Sequence, residues 1–188
     1  MSRERTAPRE IWLLAYGSLM IEGALEAAEK RPALVRGYRR ALCIYSHVYR
    51  GTRSRPGLVL GLDRGGSCRG VAFRFAGAKA KAAMDRVAAR ENVTGVYLLR
   101  TVPVTLLADG KNRARRVMAL AFVADRDHSQ YAGKLSSRRI ARLLRQGKGT
   151  KGRAADYLKE TLRCLAGFGI RDRALERIGK LIEKETSR

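Results

Sequence analysis

Six short apolar segments, each of strand length, fill the first two-thirds of the chain and dictate that it folds around a sheet. Segments 71–75 (VAFRF) and 117–123 (VMALAFV) have the apolar density of strands with a covered face. Turn signals separate the segments at 55–57, 65–66 and 109–110, and Asp109-Gly110 predicts a hairpin. The predicted strands cover residues 11–19, 41–48, 58–62, 70–75, 95–107 and 117–123.

Helical patterns accompany these strands, one between them and three in the last third of the chain. Apolar residues recur at three and four positions over 78–90. Ser136-Ser137 provide a cap for a helix that Gly147 ends, a second helix covers 157–165, and a third begins after Asp172. The order of elements predicts the α+β class, with a curved or closed sheet and helices packed behind it.

A chain of 188 residues with 45% hydrophobic composition can bury one substantial core. We therefore expect a single domain over residues 11–185, preceded by an N-terminal tail at 1–10. The apolar run over 11–20 is too short to span a bilayer, and no secretory pattern precedes it. The expected location is the cytoplasm, with no membrane partner.

The cysteines and histidines give no sign of a metal site. Cys43, Cys68 and Cys164 lie far apart with no Cys-x-x-Cys pair, which predicts free thiols, buried at Cys43 and Cys68. The two histidines are 81 positions apart: His47 is expected in a strand and His128 in a loop. No carboxylates cluster near either histidine, so we expect no metal.

The strongest compositional feature is charge, with 40 basic residues against 17 acidic ones and a net charge of +23. Such an excess of positive charge is typical of proteins that bind nucleic acids. The charge is spread along the whole chain, however, and only 6% of residues are aromatic, so stacking platforms are scarce. We expect solvated surface charge with weak, non-specific nucleic-acid binding and no specific nucleic-acid partner.

Segment 147–152, GKGTKG, matches the Gly-x-Gly-x-x-Gly pattern of dinucleotide-binding proteins. It follows a predicted helix instead of a strand, and no βαβ unit surrounds it, so the required context is missing. We interpret it as a flexible basic loop.

Segment 14–20, LAYGSLM, interrupts a buried strand with Gly17 and Ser18 before the apolar pattern resumes. Two interpretations stay open on the residues alone. The small residues mark a bulge or tight turn, or they leave backbone N–H groups reachable by a ligand.

Glu91 and two tyrosines are further candidates for chemistry. Glu91 ends the predicted helix over 78–90, where the helix macrodipole disfavours a negative charge and a carboxylate holds a proton more readily. A solvated residue at a fraying helix end is the ordinary alternative. Tyr97 begins a predicted strand and Tyr131 lies in the loop HSQYAG; packed rings with a hydrogen-bonded hydroxyl are the ordinary alternative for both.

Six blocks of the chain, taken together and in order, resemble the ChaC-like γ-glutamylcyclotransferases. The resemblance extends from about residue 11 to about residue 181. The blocks are AYGSLM, VRGYRRALCIYSHVYRGT, RPGLVLGLDRGGSCRGVAFRF, ARENVTGVY, DRDHSQYAG and DYL…GIRD.

This resemblance implies a γ-glutamylcyclotransferase-like mixed β-barrel with flanking helices and a helical C-terminal third. It implies cleavage of glutathione to 5-oxoproline and Cys-Gly without a metal or organic cofactor. The family's catalytic carboxylate falls on Glu91. The implied substrate-binding residues are Ala15, Tyr16, Gly17, Ser18, Leu19, Met20, Tyr97 and Tyr131.

Glutathione, the substrate that the resemblance implies, carries a net negative charge, so the basic loop over 49–57 is a candidate to attract it. Arg50, Arg53 and Arg55 are candidates to attract the glycyl carboxylate of glutathione, and a solvated loop is the alternative. Bacterial relatives often carry Ser-Gly-Pro-Asn where this chain has Lys151-Gly152-Arg153-Ala154. Alternative functions are a cyclotransferase for other γ-glutamyl amines or amino acids, or a non-catalytic nucleic-acid-binding protein on the same fold.

Overall fold

A closed barrel of five long strands forms the centre of the described molecule, as the run of apolar segments predicts. The computed structural model describes residues 10–21, 27–77, 79–91 and 93–186. The strands are β1 (Glu10–Ala15), β2 (Glu29–Ser46), β3 (Gly57–Ala76), β4 (Tyr97–Leu106) and β5 (Arg115–Ala124). Their order around the barrel is β1-β3-β2-β4-β5.

The barrel contains both antiparallel and parallel strand pairs. Successive neighbours around it pair antiparallel, whereas β5 runs parallel to β1 at Leu13 and Leu120 and to β3 at Leu62 and Val123. The expected mixed barrel is therefore confirmed. Large apolar side chains such as Leu13 and Leu62 are fully buried, and burying each contributes on the order of 2 kcal/mol.

Two strands are longer than the sequence predicts. Segment 41–48 covers only the end of β2 and runs two residues past it, because the first half of β2 alternates buried and exposed residues and lacks a continuous apolar run. Segments 58–62 and 70–75 belong to the single strand β3. Gly65-Gly66, predicted as a turn, lies inside β3 opposite a register shift between Arg36 and Tyr38, which makes a β-bulge.

The first strand is shorter than predicted, because β1 ends at Ala15 instead of residue 19. Tyr16 and Gly17 lead into a single helical turn, α1 (Ser18–Ile21), in which Met20 N–H donates to the Gly17 carbonyl over 2.9 Å. The predicted tail included Glu10, which instead pairs with Ala76 at the start of β1. Residues 1–9 of that tail lie outside the described residues.

Four further helices follow the predicted order. They are α2 (Lys79–Glu91), α3 (Ser137–Gln146), α4 (Ala154–Gly167) and α5 (Arg173–Thr186). Ser136 caps α3 by accepting a hydrogen bond from Arg139 N–H, and Gly147 ends it, as predicted. Residue 78, the predicted start of α2, lies outside the described residues. None of the described helices has the length and apolarity to cross a membrane.

The apolar faces of the last three helices meet one another and cover the barrel. Leu144 of α3 and Leu158 of α4 are fully buried, and Leu175 and Ile178 of α5 pack in the same cluster. Helices α3 and α4 both contact strand β3. This packing fixes α4 beside the end of the barrel where β1 terminates, since α1 also contacts α4.

The cysteines are free, and Cys43 and Cys68 are buried, as predicted. Burial raises the pKa of the Cys43 thiol to about 12. A thiol held protonated in this way packs as a small apolar side chain and is a poor nucleophile.

Candidate active site

A cavity of about 160 Å³ opens where β1 ends and is bounded by segments from both halves of the chain. Its floor comes from the barrel, through Leu60 of β3 and Phe122 of β5. Its walls are the turn after β1, the end of α2 and the start of β4, with Tyr157 of α4. Its mouth is formed by the loop over 46–50 together with Lys151.

Seven of the predicted site residues line this cavity although they are far apart in sequence. They are Tyr16, Gly17, Ser18, Leu19, Arg50, Glu91 and Tyr97. The fold therefore brings the first strand's turn, the end of α2 and the start of β4 to one place, as the resemblance requires.

Three of the predicted substrate-binding residues lie outside the cavity lining. Ala15 and Met20 are buried in the apolar core. The Tyr131 hydroxyl donates to Asp63 Oδ1 over 3.1 Å, and the Arg126 guanidinium lies over the Tyr131 ring. The buried Asp63 carboxylate therefore holds the Tyr131 side chain. Substrate binding by these three residues stays a prediction.

Three tyrosines of the cavity lining are held in place by the barrel backbone; Tyr16 and Tyr157 are buried, and Tyr97 is partly buried. Tyr16 donates its hydroxyl proton to the Phe122 carbonyl over 2.6 Å. The backbone of Leu60 serves the other two, because its carbonyl accepts from Tyr97 over 2.7 Å and its N–H donates to the Tyr157 hydroxyl over 3.3 Å. Hydrogen bonds to the backbone of one strand residue therefore fix two rings of the cavity wall.

Burial raises the pKa of Tyr16 and of Tyr97 well above 10.0, and raises that of Tyr157 to about 12. The negative charge of Glu91 contributes to the rise in pKa at all three residues. The phenols are consequently neutral at physiological pH. The shared electrostatic effect also indicates that the Glu91 carboxylate faces this cluster.

Glu91 is the last residue of α2, as the sequence predicts, and its side chain is 17% exposed. Its Oε1 atom lies 3.4 Å from Nη2 of Arg90. Glu91 thus combines an ionic neighbour with access from the cavity. It is the one carboxylate among the described residues of the lining.

A buried arginine holds the turn that follows β1. Arg40, on β2, donates from Nε to the Tyr16 carbonyl over 2.6 Å and from Nη1 to Asp172 Oδ2 over 3.0 Å. Asp172 also accepts from Leu175 N–H at the start of α5 over 3.1 Å. The turn is therefore tied to the barrel and to the C-terminal helix together.

Gly17 keeps the inner end of the cavity open. A Cβ atom at this position would lie 3.5 Å from Leu60 Cδ1 and 3.7 Å from the Tyr157 hydroxyl oxygen. These distances are ordinary van der Waals contacts, so the absent side chain leaves space that a ligand can fill. Gly17-Ser18 forms the tight turn of the first interpretation, and the space at Gly17 is also compatible with the approach of a ligand.

Segment 147–152, expected to be a flexible loop, is instead a short docked hairpin formed by β6 (Lys148–Gly149) and β7 (Gly152–Arg153). Thr150 and Lys151 donate their N–H groups to the carbonyls of Val48 and Tyr49, each over 2.9 Å. A Cβ atom at Gly149 would lie 2.3 Å from the Val48 oxygen. The glycine pattern therefore serves close backbone approach instead of phosphate binding.

Sequence reasoning missed several residues of the lining, including Tyr157, His47 and Lys151. Tyr157 falls within the predicted helix over 157–165, where its hydroxyl is the one signal that could have set it apart from the apolar residues of that helix. His47 lies beyond the end of β2, not in a strand, and its ring stacks on Tyr45 with centroids 6.2 Å apart. Burial and the charge of Arg53 lower the pKa of His47.

Within the part of the chain that the structure describes, no three His, Cys, Asp or Glu side chains come together as a metal site would require.

The barrel and its cavity define a protein with the γ-glutamylcyclotransferase fold. A solved γ-glutamylcyclotransferase from yeast, specific to glutathione, superposes with a TM-score of 0.83 at 20% identity. The superposition covers 94% of this chain and 96% of that one.

The chain belongs to the ChaC-like protein family, whose model matches residues 11–185. The glutathione-specific γ-glutamylcyclotransferase of Escherichia coli K12 is 33% identical over 165 residues, which is 88% of this chain and 69% of the relative. The human glutathione-specific γ-glutamylcyclotransferase 1 is 30% identical over 154 residues, or 80% of this chain and 68% of the relative.

Proposed function

We propose that this protein is a cytoplasmic γ-glutamylcyclotransferase that cleaves glutathione to 5-oxoproline and Cys-Gly. The observation that carries this proposal is the position of Glu91, a carboxylate facing a cavity whose inner end is kept open by Gly17. The names of the relatives at about 30% identity support glutathione as the substrate.

The reaction is an intramolecular aminolysis. The free α-amine of the γ-glutamyl group attacks its own γ-carbonyl carbon, the new C–N bond closes a five-membered ring, and the bond to the cysteinyl nitrogen breaks. If the cavity holds the substrate folded with the reacting atoms about 3 Å apart, the amine no longer has to find the carbonyl by random motion of the chain, and the barrier falls. The walls formed by Tyr16, Tyr97 and Tyr157, whose hydroxyls are held by the barrel backbone, suit this role.

Glu91 transfers the proton in this scheme. Its carboxylate accepts a proton from the attacking amine and returns it to the departing cysteinyl nitrogen, so that no net proton is gained or lost.

The turn over 17–19 supplies the polar backbone at the inner end of the cavity. Its N–H groups are candidates to bind either the γ-carbonyl oxygen, which gains negative charge in the tetrahedral intermediate, or the substrate's α-carboxylate. Arg40 supports the turn from behind through the Tyr16 carbonyl, so the N–H groups are fixed before substrate arrives.

A substrate panel tests the proposed function. The purified protein is incubated without added metal with glutathione, γ-glutamyl-alanine and a γ-glutamylamine, and 5-oxoproline is measured. We expect release from glutathione, accompanied by Cys-Gly in equal amount. Turnover of γ-glutamyl-alanine with glutathione left intact contradicts the substrate assignment but leaves the mechanism in place. Absence of 5-oxoproline from every substrate contradicts the proposed activity.

The net charge of +23 motivates a separate test of nucleic-acid binding. We propose that binding is weak and indifferent to sequence, since diffuse charge acts through phosphates and is lost as salt rises. Titrations with duplex DNA and structured RNA at about 50 and 200 mM salt measure this dependence. Submicromolar affinity at the higher salt, in a protein inactive on γ-glutamyl substrates, would favour the nucleic-acid alternative.

A further inference from the structure

We propose that Lys151 binds the terminal carboxylate of the dipeptide that leaves during the reaction, and so sets the preference for glutathione. This inference rests on the proposed function and assigns a specificity role within the same site. Lys151 lines the cavity and comes from the hairpin at its mouth.

The cavity has an inner and an outer end, joined by a chain of contacts. At the inner end, a Cβ atom at Gly17 would lie 3.7 Å from the Tyr157 hydroxyl. The Tyr157 ring lies under the Arg50 guanidinium, 5.3 Å from ring centroid to Cζ. Tyr49, next in the chain to Arg50, lies under the Lys151 ammonium at 4.5 Å. Tyr157 is buried and Lys151 is exposed, so the path leads from the core to solvent.

This geometry orients the substrate. The reacting γ-glutamyl group belongs at the inner end, beside Glu91 and the open space at Gly17. The cysteinyl and glycyl residues then extend along the path toward the mouth. Their terminal carboxylate is a negative charge that arrives at the level of Tyr49 and Lys151.

Most cations of the lining already have partners inside the protein. Arg90 pairs with Glu91 at 3.4 Å. Arg50 lies 3.6 Å from Glu160, donates to the Arg153 carbonyl over 3.4 Å and covers the Tyr157 ring. Arg50 was one of three predicted candidates for binding the glycyl carboxylate, but its guanidinium is engaged by these three groups.

Lys151 differs from both arginines. Within residues 10–21, 27–77, 79–91 and 93–186, its ammonium forms no ion pair, and the Tyr49 ring is its neighbour. An ammonium over an aromatic face keeps donors available on its outer side, since the ring engages only one side of the group. Among the positively charged residues that line the cavity, Lys151 therefore has the charge most available to a substrate carboxylate.

The backbone of Lys151 is fixed even though its side chain reaches solvent. Its N–H donates to the Tyr49 carbonyl over 2.9 Å, and Gly149 packs directly against the Val48 carbonyl. The hairpin therefore presents the lysine at one side of the mouth. Arg53 and Arg55, the other predicted candidates, are exposed residues that do not line the cavity.

The test compares two variants on two substrates. Lys151→Gln removes the charge at the mouth, and Lys148→Gln removes an exposed charge on the same hairpin outside the cavity lining. The substrates are glutathione and its glycyl monoethyl ester, which lacks the terminal negative charge. Initial rates of 5-oxoproline release give kcat and KM for each of the four combinations and for the wild-type protein.

We expect Lys151→Gln to raise the KM for glutathione roughly three- to tenfold, as an ion pair at a partly exposed site allows, with kcat little changed. The KM for the ester is expected to be the same in the variant and in the wild-type protein. A third variant, Lys151→Arg, keeps the charge, and its KM for glutathione is expected to stay near that of the wild-type protein. Lys148→Gln is expected to leave the KM for both substrates unchanged.

An unchanged KM for glutathione in Lys151→Gln overturns the inference. An equal loss with both substrates also overturns it, because that result indicates a structural role of the hairpin. If the wild-type protein turns over neither compound, the proposed function fails separately. Calorimetric titration of both compounds then decides the role of Lys151, with selective weakening of glutathione binding as the expected result and equal affinities as the contrary one.

Discussion

Arg40 and Asp172 form an ion pair of 3.0 Å that joins the barrel strand β2 to the start of α5, 132 positions away in the chain. The same guanidinium holds the Tyr16 carbonyl at 2.6 Å. Because the Arg40 side chain is 3% exposed, its charge depends on these partners for compensation. The position of the turn after β1 is thus coupled to the docking of the last helix.

Replacing Arg40 with Met is expected to lower the free energy of unfolding by about 3 kcal/mol, since removal of one partner leaves a buried group unpaired. It is also expected to raise KM, because the Tyr16 carbonyl loses its donor. Chemical denaturation and steady-state kinetics measure the two effects. Adding Asp172→Asn to Arg40→Met is expected to recover part of the stability but none of the KM. Recovery of both together would contradict a separate positioning role for Arg40.

Replacing Gly17 with Ala is expected to leave the fold intact while weakening substrate binding. The new methyl group meets Leu60 and the Tyr157 hydroxyl at ordinary contact distances, so the stability changes by less than about 1 kcal/mol. It fills the space proposed for the γ-glutamyl group, and KM for glutathione rises. Thermal unfolding and kinetics measured on the same preparation separate the two properties. An unchanged KM would mean that substrate does not approach this backbone.

The buried tyrosines predict a loss of stability at alkaline pH. Burial raises the pKa of Tyr157 from 10.0 to about 12, so the folded state retains a proton that the unfolded state releases. The contribution to stability is complete below pH 10 and is lost as pH rises toward 12. In that interval, one such group lowers the free energy of unfolding by about 1.4 kcal/mol per pH unit.

Tyr157→Phe is the matched variant for this prediction, because it removes the hydroxyl and keeps the ring. Its free energy of unfolding is expected to fall less steeply between pH 10 and pH 12 than that of the wild-type protein, by about one proton's contribution. Urea unfolding at a series of pH values measures the slopes. Parallel curves for the two proteins would show that Tyr157 titrates normally in the folded state.

The sequence predicts those parts of the fold that depend on local pattern. Ser136 and Gly147 were correctly placed at the two ends of α3, because caps are short-range signals. The helix that ends at Glu91 was also correct, since its apolar residues recur at helical spacing. In both cases the physical cause lies within a few residues of the position predicted.

Features that depend on distant partners escaped prediction. Gly65-Gly66 has the composition of a turn, and only pairing with β2 keeps it inside a strand. The GKGTKG segment gives no local sign that Gly149 packs against Val48, about 100 positions earlier. Tyr131 was placed in the cavity by resemblance, whereas the buried charge of Asp63 draws its hydroxyl elsewhere. Such contacts are set by tertiary packing, which a single sequence does not display.

The most direct test of the central claim compares Glu91→Gln with Asp85→Asn. Both changes remove one negative charge from α2 at nearly constant size, but Asp85 pairs with Lys81 on the exposed side and lies outside the cavity lining. Release of 5-oxoproline from glutathione is measured for each variant, together with calorimetric binding of glutathione. We predict that Glu91→Gln binds glutathione and loses at least about 100-fold in kcat, the lower range for a general acid–base group, whereas Asp85→Asn retains full activity. Near-normal turnover by Glu91→Gln would contradict the account.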